Sequence, residues 1–317
     1  MAACCKSIQR ALCQPQRPSA AKFEASAHLG TRRCMHLRRC HRLYATTSAS
    51  LPLKGVGVSG EFNHKAQAVA DLKPRWVHNW WIYPGYALPD GTQFVPMVFG
   101  GAQVNDGDLK AATDAGKGSG CMMGFNEPDG HTKDQAGLTA AEAAQLWPQI
   151  HKAAHSAGLR LGSPAMGGDA TQEGCWLDVF LQERHKEVDF ICVHRYPDKL
   201  QDAHGSADQL IHYLEGVNEL YNEKRRYNMK IWLTEFAIIQ YAPDGTPQAY
   251  PDIKVQQAFL AEAAQRMSGL PYLERYAWFM MSPWKESRDR SKCTCNLSTA
   301  DGQKSDLGYT FKGLWSS

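Results

Sequence analysis

Past residue 50 the chain repeats one unit: a short apolar run, a polar loop, a helical pattern, then the next run. The runs are Lys54–Ser59, Trp76–Tyr83, Phe94–Gly100, Gly120–Glu127, Leu159–Ala165, Val188–Tyr196, Lys230–Ile238 and Tyr276–Trp284. Each has the length of a buried strand. Their starts lie 18 to 46 residues apart, which leaves room for a loop and a helix each time.

Four of the intervening segments carry helical spacing. Asp108–Gly116 holds Leu109, Ala111, Ala112 and Ala115. Thr139–Gly158 opens with Thr139 three residues before Glu142, a capping-box pattern, and stops at Gly158. Asp208–Lys224 spaces Leu210, Ile211, Leu214, Val217, Leu220 and Tyr221 at three and four. Asp252–Gly269 does the same, with Pro271 beyond its closing glycine. Strands alternating with helices predict a parallel sheet, because parallel neighbours need crossover connections. Eight such units predict an α/β fold, a single (β/α)₈ TIM barrel over residues 51–317. A doubly wound open sheet is the alternative, but it would carry a Gly-rich phosphate-binding first turn. Gly55-Val56-Gly57 lacks the third glycine and reads instead as a closely packed first strand.

Charge divides the chain. Residues 1–50 hold nine Lys/Arg against Glu24 alone, a net +8, while 51–317 carry −5, so the basic pI of about 8.3 belongs to the leading segment. A nucleic-acid protein would place basic and aromatic residues together on its folded face, and no such patch is legible. No run of 18 apolar residues is present to span a membrane. Residues 1–50 are Arg-rich, Ser/Ala-rich and acid-poor, as organelle transit peptides are, and Arg42-Leu43-Tyr44-Ala45 resembles a mitochondrial processing site. A disordered 5′ extension is the other reading. The cysteines of that segment fit no zinc-finger spacing. Cys121 and Cys192 read as small buried hydrophobes. Cys293-Thr294-Cys295 reads as too close for a relaxed mutual disulfide and too isolated for a metal site.

In a (β/α)₈ barrel chemistry sits at the C-terminal ends of the strands. Two of those ends carry a glutamate: Gly124-Phe125-Asn126-Glu127-Pro128-Asp129 on the fourth strand and Ile231-Trp232-Leu233-Thr234-Glu235-Phe236-Ala237 on the seventh. A carboxylate closing an apolar strand is costly unless it is hydrogen-bonded or used. Glycoside cleavage uses such a pair, one to protonate the departing oxygen and one across the anomeric carbon. Glu127 is then the acid/base, with a raised pKa, and Glu235 the ionised nucleophile, their carboxyl groups about 5–5.5 Å apart. Asn126 is placed to bond a sugar 2-hydroxyl, and Asp129 reads as a loop cap.

Asn126-Glu127-Pro128 together with Glu235 resembles the clan A glycosidases. Gly162-Ser163-Pro164-Ala165, Val193-His194-Arg195-Tyr196, Trp232–Ala237, Tyr276-Ala277-Trp278-Phe279, Phe94–Met97 and the closing Asp301–Gly308 narrow the likeness. Over residues 52–315 the chain resembles glycoside hydrolase family 128, the alkali-sensitive-linkage-protein-like catalytic domain. That resemblance implies endo-cleavage of β-1,3-glucan with retention, a monomer, a polysaccharide as partner, and no metal or organic cofactor. It implies a cell-wall or extracellular setting, whereas the leader implies an organelle. Arg195 stands where the family usually has Trp. A glycan-binding barrel without chemistry, and a same-clan enzyme acting on another β-glycan, are the alternatives.

Sugars stack their C–H faces on aromatic rings, so Trp80, Trp284 and above all Trp278 are the expected sugar contacts, the last because related barrels end strand eight with Trp. Trp147, Trp176 and Trp232 read as structural. His194 and Tyr196 alternate along one strand and share a face. Tyr196 is placed to bond Glu235, and His194 to orient a sugar hydroxyl. Asn296-Leu297-Ser298 is a glycosylation sequon, meaningful only in a secreted chain.

Overall fold

The computed structural model describes residues 51–317 apart from 60, 61, 243, 283–292 and 315–317. The basic leader and Trp284 therefore lie outside the described residues. Every expected apolar run overlaps a strand. In chain order these are β1 (Leu53–Gly57), β2 (Trp76–His78), β3 (Gln93–Phe94), β4 (Cys121–Met123), β5 (Arg160–Gly162), β6 (Phe190–Arg195), β7 (Lys230–Phe236), the short hairpin β8 (Gln240–Tyr241) and β9 (Pro247–Ala249), and β10 (Leu273–Trp278). All but the hairpin join one eight-stranded sheet in the order β3-β2-β1-β10-β7-β6-β5-β4, with parallel neighbours throughout. At its two ends, Met123 N–H donates to Pro96 O at 2.8 Å and Val98 N–H to Met123 O at 3.1 Å, a parallel bridge just past β3.

Helices α1 (Lys65–Leu72), α2 (Asp106–Gly116), α3 (Ala140–Ser156), α4 (Trp176–Arg184), α5 (Ala203–Asn218), α6 (Ile253–Met267) and α7 (Asp306–Gly313) complete the α/β fold. Their starts follow side-chain caps. Thr139 accepts from Glu142 N–H while Glu142 bonds back to Thr139, the reciprocal box its spacing predicts. Asn105 and Asp202 cap α2 and α5, which is why these helices begin before the expected Asp108 and Asp208. The strict alternation fails between β2 and β3, where residues 79–92 hold no helix. Pro84, Gly85, Pro89 and Gly91 within that stretch forbid one.

The sheet separates two apolar clusters. The larger fills the space between strands and helices; the smaller lies on the concave face and contains Trp76, Val95, Met97, Cys121, Met123, Phe190, Cys192, Trp232 and Ala277. Glycines make room there. A Cβ on Gly55 would lie 2.3 Å from the Trp76 indole nitrogen, and one on Gly57 would lie 2.7 Å from the Trp80 ring. The close packing expected of the first strand is thus packing against two tryptophans. Cys121 and Cys192 are buried free thiols, as read from sequence.

Candidate active site

On a regular strand the side chains alternate, so Trp232 on the concave face would be followed there by Thr234, with Glu235 pointing outward. The strand is not regular. Val193 pairs with Leu233, but His194 pairs with Glu235, and β10 slips against β7 over the same stretch. This β-bulge turns Glu235 onto the concave face beside His194. The displaced Thr234 carbonyl accepts from buried His78 Nε2 at 3.0 Å.

Glu127 arrives by a different device. Its φ of 41° lies in the left-handed region, a conformation costing an L-residue about 1–3 kcal/mol. Its N–H donates to Ala165 O at 2.8 Å, which holds it there, and Pro128 follows immediately. Gly167 leaves the space its carboxyl occupies, since a Cβ there would stand 2.7 Å from Glu127 Cδ. Trp80, with φ 59°, is the other strained residue of the site.

All four carboxylate oxygens accept a protein hydrogen bond. Glu127 Oε1 faces His194 Nδ1 at 2.8 Å and Oε2 accepts from Gln135 Nε2 at 2.9 Å. Glu235 Oε1 accepts from Trp80 Nε1 at 2.6 Å, and Oε2 from the Tyr196 hydroxyl. His194 Nε2 lies 3.4 Å from Glu235 Oε1, so one imidazole spans both acids. One oxygen of each glutamate and a nitrogen of His194 lie within 4.8 Å of one another. This is a grouping that could hold a cation, but its oxygens are already engaged by N–H and O–H donors. The side chains of Glu127, Glu235 and His194 are 16%, 6% and 0% exposed, so Glu127 is the most accessible from outside.

The electrostatics run against the expectation for the free protein. Burial pushes the Glu127 carboxyl up, but the His194 hydrogen bond and charge, aided by Gln135, outweigh it and hold it below the usual range. Burial, with the Glu127 charge adding to it, raises Glu235 despite the pull of His194, Tyr196 and Trp80. Burial opposes charge on His194, yet the two glutamates overcome it and raise the imidazole. His78, buried and close to the His194 charge, is pushed down to about 3 and stays neutral.

A cavity of about 410 Å³ opens above the acids, lined by Trp80, Asn126, Glu127, Gln135, Tyr196, Glu235, Tyr241, Phe279 and Met280 among others. The structure therefore brings Glu127, Glu235, Asn126, Tyr196 and Trp80 together at the cavity. Asn126 donates to Asp134 O at 3.1 Å and keeps its Oδ1 unpaired among the described residues. His194 is behind the acids, not on the cavity wall, so it meets carboxylates rather than a sugar hydroxyl. Trp278 is misplaced by the sequence reading. Ala277 takes the concave face, so Trp278 points to the helices, fully buried against Phe236 and Phe259 with Nε1 donating to Cys295 O at 2.7 Å. Phe279 lines the cavity in its stead. Asp129 is the loop cap expected, accepting from Gly167 and Gly168 N–H at 3.0 and 2.8 Å. Arg195 points away from the acids, with its guanidinium over the Tyr213 ring at 5.0 Å. The sequon residue Asn296 is buried and donates to Cys293 O at 3.1 Å. Gln135, Tyr241 and Phe279 escaped the sequence reading, since nothing in their spacing marks them.

The family model of the glycosyl hydrolase catalytic core matches residues 57–311. Among curated proteins the chain is similar to alkali-sensitive linkage protein 1 of Schizosaccharomyces pombe, 27% identical over 237 residues; the match takes in 73% of this chain but only 38% of that longer protein. Among solved structures it is similar to a subgroup I family 128 endo-β-1,3-glucanase of Amycolatopsis mediterranei, a mutant in complex with laminarihexaose. That likeness has 32% identity and a TM-score of 0.69, covering 83% of this chain and 99% of the other. A subgroup II endo-β-1,3-glucanase of Sorangium cellulosum matches at 29% identity and a TM-score of 0.64, over 83% of this chain and 98% of that one.

Proposed function

As a member of the glycosyl hydrolase catalytic core family, and within it of glycoside hydrolase family 128, this chain is a glycoside hydrolase, and we propose that it cleaves β-1,3-glucan with retention of configuration. The observation that carries the stereochemistry is the approach of the Glu127 and Glu235 oxygens to within 4.8 Å. Inverting enzymes hold their carboxyl groups about 6.5–9.5 Å apart to admit a water, and retaining ones about 5–5.5 Å apart. The β-1,3-linkage rests on the family 128 relatives, two of which are endo-β-1,3-glucanases.

Glu235 acts as nucleophile. Trp80 and Tyr196 fix both its oxygens, which aims the carboxylate and supports its charge once ionised. Glu127, the more exposed acid, protonates the leaving oxygen and later deprotonates water. Glu127 must hold a proton to act as the acid, and the His194 imidazole beside it, raised by the two glutamates, is the neighbouring donor. His194 Nδ1 gives its proton to Glu127 Oε1 across 2.8 Å and becomes a neutral imidazole that keeps its proton on Nε2. Glu127 is then the acid, and the ionised Glu235 is the nucleophile. Acid, base and nucleophile are all side chains, so the reaction needs no cofactor. A closed (β/α)₈ barrel belongs to this reading and is supported by the bridge between Met97 and Met123.

A reducing-sugar assay across laminarin and other β-glucans, with the first-formed product anomer followed by NMR, tests the proposal. Release from laminarin with a β-configured product is expected. Cleavage confined to another β-glycan would overturn the substrate, and an α-configured first product would overturn retention.

A further inference from the structure

Behind the cavity wall lies a pair of thiols that the hydrolytic chemistry does not use. Cys293 and Cys295 flank Thr294 in a tight turn, and their Sγ atoms stand 3.1 Å apart. A sulfur–sulfur bond is roughly 2.05 Å, so about 1 Å of closure joins them. The turn is held in the shape that faces the sulfurs together: Asn296 donates to Cys293 O at 3.1 Å, Cys293 Sγ contacts Asn296 Oδ1 at 3.3 Å, and Thr294 Oγ1 donates to Pro251 O at 2.9 Å. The short sequence spacing that spoke against a disulfide is answered by this turn. Cys293 is half-buried and reachable, whereas Cys295 is 1% exposed.

We propose that Cys293 and Cys295 are a reversible modification site that closes to a disulfide in the presence of a small-molecule disulfide such as oxidised glutathione. The Cys293 thiolate attacks one sulfur of the oxidant, its disulfide breaks, and one glutathione leaves as thiolate. The Cys295 thiol, losing its proton to that thiolate or to water, then attacks Cys293 Sγ, and the second glutathione leaves. Two protein thiols are oxidised and one glutathione disulfide is reduced to two thiols. The hydrogen bond from Cys295 holds the Cys293 thiol below its ordinary range and favours it as the attacking group. Cys192 is buried and its pKa is raised well above the ordinary value.

The pair is wired to the cavity. Cys295 O receives the Trp278 indole, Leu297 N–H donates to Met280 O at 3.2 Å, and Ser298 N–H to Met281 O at 2.7 Å. Phe279 and Met280 form the cavity wall. Closing the turn pulls on that wall and leaves the acids where they are, so KM responds more than kcat. This last consequence rests on the proposed glucanase reading; the thiol chemistry does not.

The test uses the full chain, reduced and then equilibrated with oxidised glutathione, alkylated under denaturation and digested with trypsin. Residues 293–304 form one tryptic peptide carrying both thiols. The expected peptide is two hydrogens lighter and unalkylated, while Cys295→Ser accumulates glutathione on Cys293. A doubly alkylated wild-type peptide, or a glutathione adduct that persists on wild-type Cys293, overturns the proposal. In the wild type, and not in Cys293→Ser, oxidation should raise KM for laminarin by about threefold with kcat less affected. An equal KM in both redox forms, with the disulfide demonstrated by mass, overturns the coupling to the cleft alone.

Discussion

The concave face of the sheet buries charge at both of its ends and treats it in opposite ways. At the floor, Arg275 lies 4.3 Å over the Trp232 ring and 5.8 Å over Trp76, and Trp232 stacks on Phe190 at 3.8 Å. Next to it Glu274 is clamped by Arg160 through two bonds of 2.8 and 2.9 Å and by the Trp232 indole at 2.8 Å. A guanidinium does not titrate in any ordinary range, and aromatic faces stabilise it without asking for a proton. At the mouth, an imidazole bonds one carboxylate at 2.8 Å and stands 3.4 Å from the other. The floor holds fixed charge among rings and the mouth holds movable protons among partners. Substitutions at the floor should therefore cost stability, and substitutions at the mouth should cost chemistry.

The sharpest break of this contrast is at the two acids. Glu127→Ala and Glu235→Ala should each lower kcat on glucan by about 10⁴-fold while the fold survives. Their difference assigns the roles. Glu127→Ala should keep activity on aryl glycosides and be rescued by azide with retained configuration, because the intermediate on Glu235 still forms. Glu235→Ala should fail on both substrates, with azide giving at most an inverted product. Swapped azide products would reverse the assignment.

The floor is sharpened by Trp232→Ala, which deletes a fully buried indole, its stack on Phe190 and its bond to Glu274. A loss of about 3–5 kcal/mol of stability follows from a cavity of that kind. Calorimetry should show a large fall in Tm, while kcat/KM well below the new midpoint stays within about twofold of wild type. A catalytic collapse in the still-folded variant would erase the distinction between the two ends. His194→Gln probes the mouth more gently. It keeps polar contact with the acids but has no acidic proton to hand to Glu127, and kcat should fall by about 10²-fold with KM little changed. A pH–rate profile identical in shape to the wild type would remove His194 from the proton traffic.

The period of the apolar runs made the sheet legible, and the strand-end rule then picked out both glutamates. What period could not reveal is where period breaks. The bulge at Thr234 and the left-handed Glu127 each re-aim one side chain, and neither leaves a mark in composition. Trp278 shows the same limit from the other side: with Ala277 on the concave face the next residue points to the helices, and the analogy to related barrels carried no sign of that. The helix-free stretch from 79 to 92 was marked by its prolines and glycines but had been counted as one more crossover. The proton distribution was invisible because it depends on which acid the His194 Nδ1 reaches, a distance and not a motif.

The smallest effect concerns stability at the mouth, and its sign follows from Glu235. A carboxyl whose pKa is raised in the folded state contributes stability that is fully present below its unfolded value, about 4.3, and lost as pH rises through the folded one. Burial is the leading cause of that rise, so ionised Glu235 is a cost the folded enzyme carries at neutral pH. Glu235→Gln keeps the shape and stays neutral. Its carbonyl can accept from Trp80, and its amide can donate to the Tyr196 hydroxyl, which turns to receive it. The variant should be inactive on glucan yet more stable than wild type at pH 7, by about 1 kcal/mol or roughly 2 °C in Tm. The advantage should shrink to nothing near pH 4, where Glu235 is protonated in either state. A Tm difference that is flat with pH would mean that burial of the charge does not set the stability of the mouth. A variant less stable at pH 7 would mean that the ionised Glu235 is held more favourably than its burial allows, with His194 as the group responsible.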